Sequence, residues 1–252
     1  MRENKLRRLW AEQRKAVNGW LAIPNSFAAE VMALQGWDTL TIDLQHGLID
    51  TAALVPMLQA IQATPCMPIV RVPWLEPGVI MKALDAGAQA IICPMVNTRE
   101  DAQRLAHYCR YAPQGGRSFG PVRAGLVHGA DYADAASDNT LVFAMIETRQ
   151  ALDNLDEICA VEGIDAVYIG PSDLSLSLGC RPVFDDVEAP VAQAIDHILA
   201  RAHVHGLKAG VHNGRTDVAR ARLAKGFDLA TVSSDARILA AGAQQILKEM
   251  RG

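Results

Sequence analysis

Thr39-Leu40-Thr41-Ile42-Asp43-Leu44-Gln45-His46-Gly47 reads as a buried strand that hands an acid and a histidine, three residues apart, to a glycine-containing loop. The apolar and β-branched run Leu40–Ile42 supplies the strand. Packing alone asks nothing of such a strand end but a turn residue. Asp43 and His46 are therefore a candidate hydrogen-bonded pair, in which the carboxylate would fix the imidazole tautomer and raise its basicity. The plainer alternative makes Asp43 a loop cap and His46 a surface residue. The choice turns on whether other strands end the same way.

They do. Upstream, Gly19–Ile23 reads as the first strand, closed by Pro24, with Asn25 or Ser26 capping a helix over Phe27–Gln35. Residues 3–14 form a short amphipathic helix that covers one end of the fold. Downstream come a helix from Thr51 to Gln62, a strand Met67–Val72 with Arg71 near its end, a helix entered through Pro77, and a strand Ala90–Cys93. Thr98 and Asp101 have capping-box spacing for a helix to Arg110. After residue 140 the rhythm resumes. Leu141–Ile146 ends in Glu147, Ala166–Ile169 runs into Gly170-Pro171-Ser172-Asp173, Lys208–Val211 ends in His212 and Asn213, and Leu229–Val232 precedes a final helix Ser234–Glu249.

Eight strands alternating with helices in about 250 residues predict a single (β/α)8 barrel over residues 1–252, where function sits at the strands' C-terminal ends. An open doubly wound sheet would place a glycine-rich turn after its first strand, and Pro24-Asn25-Ser26 stands there instead. Hydrophobic residues make up 50% of the 252 and aromatics only 5%, so the core is built from small and branched aliphatics. Residues 111–140 break the pattern with glycines, prolines, Arg117 and Arg123, and a helix at Val127–Ser137; the stretch matches no nucleotide-binding spacing. It is expected to form an active-site rim or a subunit contact.

A net charge of −4 with scattered signs argues against a nucleic-acid surface, and no apolar run approaches the length of a membrane span. The five cysteines share no CxxC spacing, which fits reduced thiols and a cytoplasmic protein.

Glu147 and Asp173 close consecutive strands and can share one point on the rim. Two such carboxylates in a poorly solvated site hold a proton between them or bind a divalent cation. An oxygen-only pair suits Mg2+ or Mn2+ better than zinc, although with substrate oxygens it would accept Co2+ or Zn2+. Asp173 as a helix cap and Glu147 as a partner of Arg149 or Arg71 are the structural alternatives. The small residues Gly170 and Ser172 let exposed N–H groups meet an anion, with Arg71 on the same rim. Together these groups suit chemistry next to the carbonyl of a 2-oxo acid.

The segments Ile42–Gly47, Arg71-Val72-Pro73, Leu84–Gly87, Ile146-Glu147-Thr148 and Ile169–Leu174 resemble the signatures of the metal-dependent class II pyruvate aldolases. The nearest type is 4-hydroxy-2-oxoheptanedioate (2,4-dihydroxyhept-2-ene-1,7-dioate) aldolase, within the citrate lyase-like superfamily. The resemblance implies a TIM barrel of the phosphoenolpyruvate/pyruvate-binding type and cleavage of 4-hydroxy-2-oxo acids to pyruvate or hydroxypyruvate and an aldehyde. It implies that Glu147 and Asp173 hold the metal, and that His46 with Asp43 is the acid-base group, acting through a water. Arg71 would bind the keto oxygen, and the backbone at Gly170 and Ser172 the carboxylate. Asp85 would reach a neighbouring subunit's active site in a homo-oligomer, usually a hexamer. Two departures bear on substrate choice: Met145, where many relatives have Gln, and the variable stretch Cys180–Glu188. Rival readings are a Schiff-base aldolase using Lys208, a lyase of CoA thioesters, and a barrel that binds a 2-oxo acid without turnover.

Overall fold

In the computed structural model, which describes residues 2–252, eight parallel strands close into one barrel in the order β1 to β8. The strands are β1 Ala16–Leu21, β2 Thr39–Asp43, β3 Met67–Arg71, β4 Ala90–Cys93, β5 Leu141–Ile146, β6 Ala166–Ile169, β7 Lys208–Asn213 and β8 Leu229–Val232. Helices α1 Lys5–Ala11, α2 Ser26–Ala33, α3 Thr51–Gln62, α4 Pro77–Asp85 and α5 Arg99–Cys109 precede β5, together with the pair α6 Val122–His128 and α7 Tyr132–Asn139. The second half carries α8 Arg149–Asp153, α9 Leu155–Cys159, α10 Pro171–Ser177, α11 Ala189–Val204, α12 Thr216–Lys225 and α13 Asp235–Arg251. This is the (β/α)8 barrel that the strand count predicts.

Period-two alternation divides each strand between two cores. Leu40 and Ile42 of β2, Val70 of β3, Ile91 of β4, Val142 and Ala144 of β5 and Val167 of β6 face outward and pack with the helices. Their neighbours Met67, Ile69, Ala90, Ile92, Phe143 and Tyr168 fill the barrel. Polar residues occupy the inward positions of β1, β2 and β8 and satisfy one another there. Asn18 donates to Thr41 at 3.0 Å and to Thr231 at 2.8 Å, and accepts from Thr39 at 2.7 Å. Because Asn18 belongs to this buried network, β1 begins at Ala16, three residues before the apolar signal in the sequence.

The N-terminal ends of the strands are closed by α1, whose Leu6, Leu9 and Trp10 join the interior core. Asn4 caps that helix and also donates to the carbonyls of Gln89 and Asn139. The excursion before β5 lies at this same end. Asn139 contacts Asn4, and the Arg2 N–H donates to the His128 carbonyl, so these residues stand opposite their own barrel's C-terminal mouth. The expectation of a rim for that mouth is thereby corrected: an α-to-β connection must return to the strands' N-terminal ends. Gly129, at φ 113°, splits the single expected helix into α6 and α7.

Candidate active site

The inward-facing positions continue past the strand ends into a cavity of about 450 Å³. Asp43 follows Thr41, Arg71 follows Ile69, Glu147 follows Met145, Gly170 follows Tyr168, and His212 stands near the end of β7; all line this space. His46 enters from the loop after β2, and Ser172 and Asp173 from the start of α10. Seven of the eight residues picked from the sequence thus converge. The eighth, Asp85, does not. It ends α4, beside a separate cleft with Arg123.

Asp43 is almost completely buried, and its carboxylate is saturated. Arg71, its register partner on β3, donates to Oδ1 through Nε at 2.8 Å and to Oδ2 through Nη2 at 2.6 Å. Trp20 Nε1 adds a bond to Oδ2 at 3.1 Å, and the N–H groups of Gln45 and His46 donate to Oδ1 at 3.0 and 3.2 Å. Five donors leave no lone pair for an imidazole. The expected Asp43–His46 side-chain pair is therefore not formed: Asp43 holds His46 through the loop backbone, and the exposed ring is free to meet a ligand. Burial works against the ionised form of Asp43, yet the Arg71 guanidinium and the other donors hold its pKa below the usual carboxylate value. Arg71, stacked 4.8 Å over the Trp20 ring, keeps its Nη1 without a hydrogen-bond partner among the described residues.

Glu147 is 1% exposed and has a different environment. Oε1 accepts from the Met95 N–H at 2.9 Å, and Oε2 lies against Gly170, where any Cβ would collide with it. Burial pushes its pKa up to about 7; the Met95 N–H opposes this, Asp173 reinforces it, and Arg71 relieves it in part. A buried carboxylate with one hydrogen bond and a carboxylate neighbour fits a cation-binding role. No group of three or more His, Cys, Asp or Glu placed for a metal exists among the described residues. The pair therefore suits an ion that takes its other ligands from water and substrate, as Mg2+ and Mn2+ do.

Several cavity residues gave no isolated signal in the sequence. Trp20 and Tyr168 follow from the inward alternation of their strands, as does Met145, already marked as a departure from the resemblance, whereas Phe184, Ser234 and Arg237 arrive from loops and a helix start. His212 Nδ1 stands 3.3 Å from the Tyr168 hydroxyl, which bonds Thr231 at 2.6 Å. Enclosure pushes the His212 pKa down to about 3, with Arg71 adding to the effect. Lys208, the Schiff-base candidate, lies at the N-terminal end of β7 and pairs with Asp228 at 3.1 Å, far from the mouth.

Asp85 has its partner within the chain. Arg117 Nη2 donates to it at 2.6 Å and to Tyr132 at 3.1 Å, with the guanidinium over Tyr111. The chain's own Arg117 therefore answers this helix-terminal carboxylate.

Residues 18–241 match the family described as HpcH/HpaI aldolase/citrate lyase. The chain belongs to this family. Among HpcH/HpaI relatives it is 47% identical, over 98% of its own length and 99% of the other's, to a hydroxypyruvate/pyruvate aldolase of Rhizorhabdus wittichii. It is 33% identical, over 96% and 95%, to a 5-keto-4-deoxy-D-glucarate aldolase of Shigella dysenteriae. A crystal structure of an HpcH/HpaI aldolase/citrate lyase family protein from Burkholderia cenocepacia superposes with a TM-score of 0.91, at 32% identity, covering 99% of this chain and 100% of that one. The resemblance read from the motifs is met at the level of the HpcH/HpaI family; these two relatives carry substrate names other than 4-hydroxy-2-oxoheptanedioate.

Proposed function

We propose that this chain is a divalent-metal-dependent aldolase that cleaves, and in reverse forms, 4-hydroxy-2-oxo acids, with pyruvate or hydroxypyruvate as the 2-oxo acid. The observation that carries this reading is the buried Glu147 beside Asp173 in one cavity with Arg71 and His46. The name of the hydroxypyruvate/pyruvate aldolase relative supplies the donor class. Held by the two carboxylates, Mg2+ or Mn2+ would act as a Lewis acid toward the 2-oxo group.

The chain's own groups do the rest. Nη1 of Arg71 is the donor left to meet the keto oxygen as it gains charge, while Asp43 fixes the guanidinium from behind. No side chain caps α10, so the N–H groups of Ser172 and Asp173 remain to bind the substrate carboxylate, and Gly170 leaves room beside them. His46 accepts the proton of the C4 hydroxyl, directly or through a water. The C3–C4 bond breaks, the aldehyde leaves, and the electron pair passes to the enolate. A proton returned to C3 completes the 2-oxo acid.

The test is release of pyruvate from a 4-hydroxy-2-oxo acid by purified protein. Loss of release with EDTA and its recovery with Mg2+ or Mn2+ is the expected result. Release that survives chelation, or trapping of substrate by borohydride, would overturn the proposal.

The working form is proposed to be a homo-oligomer, such as the hexamer implied by the motifs, with Asp85 near a neighbouring site. Supporting this, only Asp235 of α13 is buried, while Ile238, Leu239, Ile246, Leu247 and Met250 are exposed. So are Phe27, Val31 and Leu34 on and after α2. Apolar surface on this scale is expensive in a lone chain. All five cysteines are free, in keeping with a cytoplasmic setting, and no helix among the described residues is long and apolar enough to cross a membrane.

A further inference from the structure

Two guanidinium groups line the cavity, and only that of Arg71 forms an ion pair among the described residues. Arg71 is bound twice by Asp43. Arg237, in the first turn of α13, has neither an ion pair nor a side-chain hydrogen bond among the described residues, although it lines the same space. Arg237 is solvent-exposed, yet its guanidinium is held in place. Its guanidinium stands 4.8 Å over the face of Phe184, and Phe184 packs 4.7 Å from His212 in the cavity wall. The helix start that carries it is fixed to the barrel. Buried Asp235 accepts from the N–H groups of Ala22 and Ile23 at 2.8 and 3.1 Å, beyond the end of β1, and Ser234 Oγ accepts from the Arg237 N–H. An arginine stacked on an aromatic face keeps its edge N–H donors for a planar or tetrahedral anion.

Position separates this group from the reacting centre. Glu147 and Asp173 follow β5 and β6, whereas Arg237 follows β8, two strands further round the mouth. A 2-oxo acid at the carboxylate pair leaves its own carboxylate at α10, so the second half of the substrate extends toward the remaining wall. We propose that Arg237, seated on Phe184, is a specificity residue that binds a terminal carboxylate or phosphate on the aldehyde half of the substrate. This rests on the aldolase reading above.

The test compares wild type, Arg237→Gln and Arg237→Lys in aldol addition of pyruvate to glyceraldehyde, glyceraldehyde 3-phosphate and 4-oxobutanoate. The phosphate and carboxylate arms distinguish the two anions. Arg237→Gln should lower kcat/KM for at least one anionic aldehyde, relative to glyceraldehyde, by about tenfold or more, mainly through KM, with Lys recovering part of it. An equal change for neutral and anionic aldehydes, or none, would overturn the proposal. Calorimetric titration of succinate and inorganic phosphate into wild type and Arg237→Gln makes the subsite testable without turnover. Loss of affinity in the variant would sustain the anion contact even if no aldehyde reacts, a result that would count against the aldolase reading alone. Identical affinities would reject the contact.

Discussion

His46 and Asp43 lie three residues apart but do different work, and substitution should separate them. His46 is exposed and its ring is bound by no described residue, so His46→Ala should leave the fold and cation affinity nearly intact while lowering kcat about 10²–10⁴-fold. Asp43→Ala removes one half of a buried ion pair and should cost about 3–5 kcal/mol in stability by stranding Arg71. Denaturant titration alongside kinetics checks both; equal losses of stability in the two variants would contradict the division. His212 supplies a pH signature. Its folded pKa lies near 3, against an ordinary value of 6.5, so the unfolded chain takes up the proton first. The stability contribution is complete above about pH 6.5 and is lost as pH falls toward 3. His212→Asn should therefore lose less stability than wild type between pH 7 and pH 5. Parallel stability curves would show that this imidazole is not held neutral by the fold.

At the scale of elements, the ends of β5 and β6 meet at Gly170. A methyl group there would strike Glu147 Oε2 and come within 3.0 Å of Met145 Cε. Gly170→Ala should therefore displace the carboxylate and lower cation affinity and turnover together, with the barrel still folded by circular dichroism; unchanged cation affinity would refute this. The sequence showed this meeting point because strand, glycine and carboxylate are contiguous. It showed much less where inside and outside depend on three-dimensional context. Asn18 and Thr39 look unsuited to a core, and they are buried because they bond each other across β1 and β2. The Asp43–His46 pairing failed for the same reason. Arg71 is 28 residues away in sequence and directly opposite in register, a closer competitor than the histidine three residues on. Trp20, Tyr168 and His212 were recoverable from strand alternation, whereas nothing local marks Phe184 or Arg237 as neighbours across the mouth.

For the whole molecule, the barrel was legible because eight apolar runs recur with short connections, and the C-terminal mouth then collected residues from separate strands without further assumption. The state of assembly was not legible in this way. It rests now on α13, a 17-residue helix with one buried residue. Sedimentation equilibrium should give a multiple of the 27.2 kDa chain, and Ile246→Asp with Met250→Asp should reduce it. A fully active monomer would remove the oligomer from the account. The account's central claim is that Glu147 and Asp173 together hold the cation needed to ionise a 2-oxo acid next to its carbonyl. Deuterium exchange into the methyl group of pyruvate, followed by proton NMR, tests it without any aldehyde. Wild type should exchange with Mg2+ or Mn2+ and stop on chelation, whereas Glu147→Gln, Asp173→Asn and the double variant should all lie near the uncatalysed rate because either loss already releases the ion. Undiminished exchange after exhaustive chelation, or in the double variant, would contradict it.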